Sequence, residues 1–295
     1  MVTSASRVAQ TQPLSSKSAS KLPAVLLIWP LALLVLCYFP VLKLLITHWI
    51  TDEDMGHAFF VPVIAAYIAW QKRDLAIEVF SRPNYWGLLV VGLAGLQLHV
   101  ATLGAELFLA RTAFVFALIG TLWFLGGTQF IKVLSFPLFL LFFMIPIPAI
   151  IYNQITFPLQ LFASAVAENV LSIMGIPVVR EGNVLELASQ KLSVVEACSG
   201  IRSLLSLSFI SLVYTYFFDQ KTWMRAVLLV ATAPIAILAN ATRVTMTGIL
   251  SEYKREYADG FFHSVSGWIL FMAGLVLLIL AHKAINIVYA KFAGR

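Results

Sequence analysis

Long apolar runs separated by short polar segments dominate the chain from residue 24 onward. Several runs extend for about 20 residues with almost no charged side chain, which is the length a helix needs to cross the hydrocarbon core of a bilayer. The pattern predicts an all-α polytopic membrane protein with about eight transmembrane helices. The predicted spans are 24–46, 57–71, 84–102, 106–126, 130–150, 199–218, 223–247 and 263–285.

Two segments between the fifth and sixth predicted spans break this pattern. Residues 152–174 are apolar but carry several Asn, Gln and Glu side chains, so we expect a helix that lies in the outer interface or dips into it. Residues 176–197 contain short β-branched runs separated by polar residues, which predicts a small β-hairpin or meander. Because an open sheet edge cannot face lipid, that segment must lie outside the hydrocarbon.

Composition and charge set the orientation of these elements. The chain is 60% hydrophobic and 12% charged, which is too apolar for a soluble core of this length. The net charge of +6 is assigned to Lys and Arg that flank the spans on the cytoplasmic side, so no nucleic-acid partner is expected. Both termini are then cytoplasmic, and the segment at about 151–198 is extracytoplasmic. Residues 1–22 are predicted to form a disordered basic tail, followed by a single transmembrane domain at 23–295.

Three chemically reactive side chains from three predicted spans reach the same outer depth. Cys198 opens the sixth span, Arg243 lies near the outer end of the seventh, and His263 opens the eighth. An arginine inside an apolar span costs about 2.5–3.5 kcal/mol on insertion scales, so it normally faces a partner or a cavity. Asn240 lies three residues before Arg243 and is expected to orient it, and Gly267 leaves the helix face below His263 open to close approach.

Further candidates lie near the same rim. Arg202 follows Cys198 by four residues and either favours its thiolate or pairs with Glu196 or a lipid phosphate. His57 and Asp54 either line the same rim or are ordinary residues at the start of a span, with Asp54 as an N-cap.

These residue types support acyl transfer, in which a thiol attacks, an imidazole moves the proton and a guanidinium holds the oxyanion. No metal-ligand spacing such as Cys-x-x-Cys occurs, so neither a metal nor another cofactor is expected. The alternatives are a non-covalent transporter or exopolysaccharide-export component, and a membrane acyltransferase that uses His263 without the thiol. Serine chemistry through Ser199 is a further alternative, although the Ser-Gly pair lacks the flanking pattern of such enzymes and adjoins the better nucleophile Cys198.

Five motifs in this order resemble the exosortase family: "DEDMGHAFFVP" at 52–62, "IPIP" at 145–148, "EACSGIRSL" at 196–204, "NATRVTMTG" at 240–248 and "FHSVSGW" at 262–268. The resemblance implies a multi-pass cysteine protease/transpeptidase of the bacterial inner membrane with its active site facing the periplasm. Its partners would be exported proteins with a C-terminal Pro-Glu-Pro signal and a transmembrane helix, an acceptor nucleophile of unknown identity, and the surrounding lipids. By the same resemblance, Cys198 matches the nucleophile and Arg243 and His263 match the conserved arginine and histidine.

Overall fold

The computed structural model describes residues 24–188, 190–194, 201–253 and 261–293, so the tail predicted at 1–22 lies outside the described residues. The described chain is mostly helical with one small sheet, which confirms the predicted all-α polytopic class. The helices are α1 (Ala24–Cys37), α2 (Phe39–Thr51), α3 (Phe60–Gln71), α4 (Arg73–Glu78), α5 (Tyr85–Leu103), α6 (Leu107–Val133), α7 (Ser135–Leu140), α8 (Ala149–Ile173), α9 (Ile201–Phe218), α10 (Thr222–Tyr253) and α11 (Phe261–Ala293).

Four helices of the described chain, α5, α6, α10 and α11, are long and apolar enough to cross a membrane. The number rises to six if each of two sharply bent helix pairs is counted as one span. Two shorter apolar helices, α3 and α9, correspond to the second and sixth predicted spans. The structure therefore supports a polytopic membrane protein, whereas the predicted number of about eight spans is not confirmed.

Prolines lie at both sharp bends. The first predicted span divides into two helices that meet at 71°, and α2 begins with a proline in its first two residues. The fifth predicted span also does not run straight, because the helix ends at Met144 and α8 begins after Pro148 at an angle of 82°. Proline lacks a backbone N–H and its ring clashes with the preceding turn, so it interrupts a helix. It is tolerated in the first turn of the next helix, where that N–H would have no partner.

Glycines allow α5 and α6 to pack closely along each other. A Cβ atom at Gly87 would lie 2.2 Å from the backbone nitrogen of Phe124, and one at Gly120 would lie 2.8 Å from the carbonyl oxygen of Gly87. Small residues permit this approach between helices in a membrane. The predicted turn between the fourth and fifth spans is a kink inside α6, where Gly127 takes a φ of 80° that other residues rarely adopt.

The predicted β-meander is present and packs on two helices. Its strands β1 (Val178–Glu181), β2 (Val184–Leu187) and β3 (Lys191–Ser193) form an antiparallel sheet in sequence order. Alternate residues of β2, Leu185 and Leu187, are buried, as the two-residue period of a strand requires. They belong to a core cluster that also contains Ala167 of α8 and Val244 of α10.

The two ends of the helical bundle differ in character. At one end, Lys72 and Arg225 lie 5.5 Å and 5.2 Å from the ring centroid of Tyr216, so the chain after α3 and the first turn of α10 meet there. We call this the basic end. Arg202 lies 14 residues before Tyr216 on α9, about 21 Å away along the helix axis. The end that carries Arg202 and the sheet is called the sheet end.

Candidate active site

The structure describes four of the seven candidate side chains. These are His57, Arg202, Asn240 and Arg243. Cys198 and Glu196 lie outside the described residues. For His263 only the backbone is described, in the first turn of α11.

Arg243 of α10 packs against the face of α11 at Gly267. A Cβ atom at Gly267 would lie 3.1 Å from Nη2 of Arg243 and 3.2 Å from its Cζ, so a side chain there would crowd the guanidinium. Gly267 follows His263 by one helical turn, and residues four apart lie on the same helix face. The close approach predicted at Gly267 is thus confirmed, and the approaching group is the guanidinium itself.

Arg202 forms an ion pair that joins distant parts of the chain. Its Nε donates to Oδ1 of Asp54 over 3.0 Å, and the hydroxyl of Tyr152 donates to Oδ2 of the same carboxylate over 2.7 Å. The Arg202 side chain is 44% exposed and that of Asp54 is 19% exposed. The contact links the first turn of α9 to the turn between α2 and α3 and to the start of α8.

The N-cap interpretation of Asp54 is wrong. Asp52 performs that function, because its Oδ1 accepts the backbone N–H of Asp54 over 2.9 Å at the start of a short 3-10 turn. The other oxygen of Asp52 lies 3.1 Å from Nε2 of His48. The Asp54 carboxylate is therefore left to pair with Arg202 and Tyr152.

His57 is buried in the turn before α3 with both ring nitrogens in use. Its Nε2 lies 3.2 Å from the carbonyl oxygen of Phe143, which can only accept, so Nε2 carries the hydrogen. In the neutral ring, Nδ1 then accepts from the hydroxyl of Ser206 of α9 over 3.3 Å. Burial lowers the pKa of His57, and the Phe143 carbonyl and Asp54 only partly oppose this effect. His57 thus connects the turn before α3 to α9.

A cavity of about 220 Å³ lies between α8, α9 and α10, beside Asn240. Its lining is otherwise aliphatic and consists of Ile155, Leu159, Leu204, Ala233, Ala236 and Ile237. Asn240 is 6% exposed, and its amide nitrogen has no hydrogen-bond partner among the described residues. A hydrogen bond by which Asn240 orients Arg243 would therefore have the side-chain oxygen of Asn240 as its acceptor.

The described residues on both sides of Cys198 lie at the sheet end. Val194, four residues before the cysteine in sequence, is fully buried in the cluster that contains Ala241 and Val244, the neighbours of Arg243 on α10. Arg202, four residues after the cysteine, lies in the first turn of α9 and pairs with Asp54. The described residues that flank Cys198 in the sequence therefore both lie at the end of the bundle that holds Arg243.

A family model described as transmembrane exosortase matches residues 49–280, which is well over half of the chain. The chain belongs to the transmembrane exosortase family. The matched region includes the first turn of α11, the whole of α10 and the turn that carries Asp54 and His57. No curated protein and no solved structure matches the chain.

Sequence reasoning missed the partners that organise this exosortase at its sheet end. Asp54 and Arg202 are 148 residues apart, and Tyr152 is 98 residues from Asp54, so no local pattern connects them. The acidic run at 52–54 was the one available signal, since an acidic residue near an apolar span is normally paired. Ser206, which contacts His57, gives no such signal because hydroxyls are common in membrane helices.

Proposed function

We propose that this exosortase is a membrane cysteine peptidase/transpeptidase that removes the C-terminal Pro-Glu-Pro sorting tail of exported proteins. Cys198 is the nucleophile, and the reaction passes through a thioester between its sulfur and the new carboxyl end of the substrate. The contact between Arg243 and Gly267 carries the proposal, because it brings a guanidinium to the helix turn that begins with His263.

The proposed mechanism assigns one step to each residue. A free thiol has a pKa near about 8.5, so the Cys198 thiol needs a base to be reactive near neutral pH. His263 accepts the thiol proton as the sulfur bonds to the scissile carbonyl carbon, and Arg243 holds the oxyanion that forms. Collapse of the intermediate breaks the C–N bond, and His263 returns the proton to the leaving amine. An acceptor nucleophile or water then attacks the thioester and releases the thiol.

Arg202 has a positioning role in this proposal. Its charge is paired with Asp54, which reduces the field it would exert on a neighbouring thiol. The ion pair and the hydrogen bond from Tyr152 instead fix the first turn of α9 relative to α8 and to the turn before α3. Arg202 would thereby act on the reaction through the position of α9, whose first turn follows Cys198 in the sequence.

The function is tested with a tailed reporter protein co-expressed with the exosortase in a bacterial host. Cys198→Ala and Cys198→Ser should reduce processing below detection, because each removes the only group that forms the covalent bond. Mass spectrometry of the new C-terminal end of the processed reporter distinguishes hydrolysis from transfer to an acceptor.

Cys37→Ala is the matched control, because Cys37 is the only other cysteine and is exposed on α1. It should process the reporter at the wild-type rate, and all variants should reach the membrane in equal amounts. Normal processing by either Cys198 variant would eliminate the mechanism and favour the non-covalent transport or export function.

The proposal also places the sheet end in the periplasm and the basic end in the cytoplasm of a bacterial inner membrane. The basic end carries Lys72 and Arg225 over the ring of Tyr216 and Lys221 over that of Tyr289, and positive residues favour the cytoplasmic side. In a chain without native cysteines, an impermeant maleimide should label Glu181→Cys on the exposed edge of β1 but not Arg73→Cys. The reverse labelling pattern would contradict the orientation.

A further inference from the structure

A second polar cluster lies at the basic end, far from the candidate active site. It consists of Tyr214, Asp219, Lys221, His282 and Asn286, and we call it the Asp219 network. Tyr214 belongs to α9, Asp219 and Lys221 to the turn between α9 and α10, and His282 and Asn286 to α11. The Asp219 and His282 side chains are 6% and 8% exposed.

One assignment gives every contact of the network but one a donor and an acceptor. The exception is the 2.8 Å between Nδ2 of Asn286 and Nε2 of His282, which both donate to Oδ2 of Asp219. Lys221 Nζ donates to Oδ1 of Asn286 over 2.6 Å, which orients the amide so that its nitrogen donates to Oδ2 of Asp219 over 3.1 Å. His282 Nε2 lies 2.9 Å from the same oxygen and therefore carries a hydrogen, while Nδ1 accepts from the Tyr214 hydroxyl over 3.0 Å. The backbone N–H of Lys221 donates to Oδ1 of Asp219 over 2.8 Å.

Asp219 is ionised in this setting. Burial alone would raise its pKa, but the hydrogen bonds from His282, the Lys221 backbone and Asn286, together with the Lys221 charge, lower the pKa to about 2. A buried carboxylate that loses these donors would be left without compensation, which is strongly destabilising. The turn between α9 and α10 is therefore fixed to one position on α11.

The stretch of α11 that joins this network to the candidate active site offers no polar side chain that would specify such a position. Residues 268–281, between Gly267 and His282, carry only apolar side chains, and apolar helices in lipid have no hydrophobic driving force for one particular contact. The packing of this stretch, such as that of Leu278 among Leu207, Met224 and Leu228, carries no directional bond. A buried polar contact specifies register instead, since only one alignment satisfies its hydrogen bonds.

We propose that the Asp219 network sets the axial and rotational register of α11 against α9 and α10, and thereby positions Gly267 and His263 beside Arg243. The helix is continuous from Phe261 to Ala293, so a shift at His282 is carried to its other end. His282 and Gly267 are 15 residues apart, about 22 Å along the axis. His282 is then a positioning residue for the reaction, and this part of the inference rests on the proposed function.

The register of α11 is measured by cysteine cross-linking, independently of any substrate. A Cβ atom at Gly274 of α11 would lie 3.6 Å from Cγ2 of Ile235 of α10, so Ile235→Cys and Gly274→Cys should form a disulfide efficiently. The pair is introduced into a Cys37→Ala, Cys198→Ala chain in membranes. Ala273→Cys and Leu275→Cys, each tested with Ile235→Cys, report rotation of α11 in either direction.

Two substitutions at His282 separate the hydrogen bonds from the bulk of the side chain. His282→Leu removes both bonds, and the cross-linking yield of the 235–274 pair should fall several-fold while that of the 273 or 275 pair rises. His282→Gln retains one donor for Asp219 and one acceptor for Tyr214, so it should keep the wild-type cross-linking pattern. Lys283→Leu is the matched control, because the neighbouring Lys283 is exposed and no described contact joins it to the network.

Processing of the tailed reporter by chains that retain Cys198 should follow the cross-linking, with His282→Leu impaired at least tenfold and His282→Gln near normal. Equal 235–274 cross-linking in the two His282 variants would overturn the inference. So would normal processing in a His282→Leu chain whose cross-linking has shifted. If the wild-type chain fails to process the reporter while cross-linking still follows the network, the proposed function fails and the role of the network in register stands.

Discussion

The polar clusters at the two ends of the bundle differ in how deeply they are buried. At the basic end, the Asp219 network pairs its donors and acceptors internally, with Asp219 and His282 almost completely buried. At the sheet end, the Arg202 side chain is 44% exposed beside Asp54, and the amide nitrogen of Asn240 has no described partner although the residue lines a cavity. The same helices, α9, α10 and α11, contribute to both ends.

The difference distinguishes a structural polar cluster from a reactive one. A saturated and buried network has no bonding capacity for a substrate, so its contribution is to the alignment of helices. The amide nitrogen of Asn240, buried beside a cavity and without a described partner, leaves that capacity available at a cost to stability that function can explain. Substitutions at the sheet end should therefore change the chemistry, whereas those at the basic end should act through register and stability.

Among substitutions that test this comparison, one at Arg243 is expected to have the largest effect on the rate of reporter processing. Arg243→Lys retains the charge but loses the planar fork of donors, so an oxyanion would be held by one poorly placed ammonium. Removal of a single oxyanion donor typically costs about 100-fold or more in rate, and we expect a loss of that size. The measurement is the initial rate of reporter processing at equal amounts of membrane-inserted exosortase.

Arg225→Lys provides the same substitution at the basic end. Arg225 stacks over the rings of Phe136 and Tyr216, at 4.9 Å and 5.2 Å from their centroids, and an ammonium retains most of a cation–π contact. Its rate should stay within about twofold of wild type, since cation–π contacts contribute only about 0.5–2 kcal/mol to stability. Equal losses in the two variants would show that arginine is needed for insertion or folding at both ends.

Asp54→Asn should have an intermediate effect. The change removes the charge that pairs with Arg202 and weakens the hydrogen bond from Tyr152, so we expect processing to fall about tenfold, in line with the loss of a charge-assisted hydrogen bond. Asp52→Asn is the matched control, because an asparagine still caps the short turn, and its rate should change little.

The same variant separates the two interpretations of Arg202. If Arg202 acted directly on the thiol, loss of the Asp54 charge would strengthen its field, lower the pKa of Cys198 and preserve processing. If Arg202 instead positions the first turn of α9, processing falls and the pKa of Cys198 does not decrease. The pH dependence of Cys198 alkylation by an impermeant reagent in Asp54→Asn and wild type decides between these outcomes.

Local pattern was sufficient to predict much of the fold. Apolar runs located the helices because hydropathy is a property of neighbouring residues, and the β-branched run at 176–197 correctly predicted the meander. The bends were predictable in principle from prolines, yet residues 130–150 were interpreted as one span although "IPIP" interrupts them. Hydrophobic averaging over a window conceals such breaks, because proline lowers the mean only slightly.

The candidate site was less accessible, since its contacts join residues far apart along the chain. Gly267 gave a usable signal, because a glycine one turn from His263 indicates close packing at that face. The pairing of Arg202 with Asp54 and the closed network around Asp219 depend on how the helices are arranged, and neither follows from spacing. Whether Cys198 and the His263 side chain meet Arg243 stays a prediction.

The smallest expected effect tests the contact that supports the proposed function. In Gly267→Ala, the new methyl group would lie 3.1 Å from Nη2 of Arg243, so the guanidinium must move by a few tenths of an ångström. Misplacement by about 1 Å can cost about 100-fold in rate, so a shift of this smaller size should slow processing severalfold.

Gly274→Ala on the same helix is the control that isolates the guanidinium. Its methyl group would meet Cγ2 of Ile235 at 3.6 Å, an ordinary van der Waals distance, so nothing needs to move. Both variants gain the same intrinsic helix propensity, about 1 kcal/mol, so any general stiffening of α11 affects them equally. A slower rate in Gly267→Ala alone would therefore mean that the position of the Arg243 guanidinium limits the reaction. Equal rates would mean that Arg243 packs against α11 without taking part in catalysis, and the sheet end would then resemble the basic end.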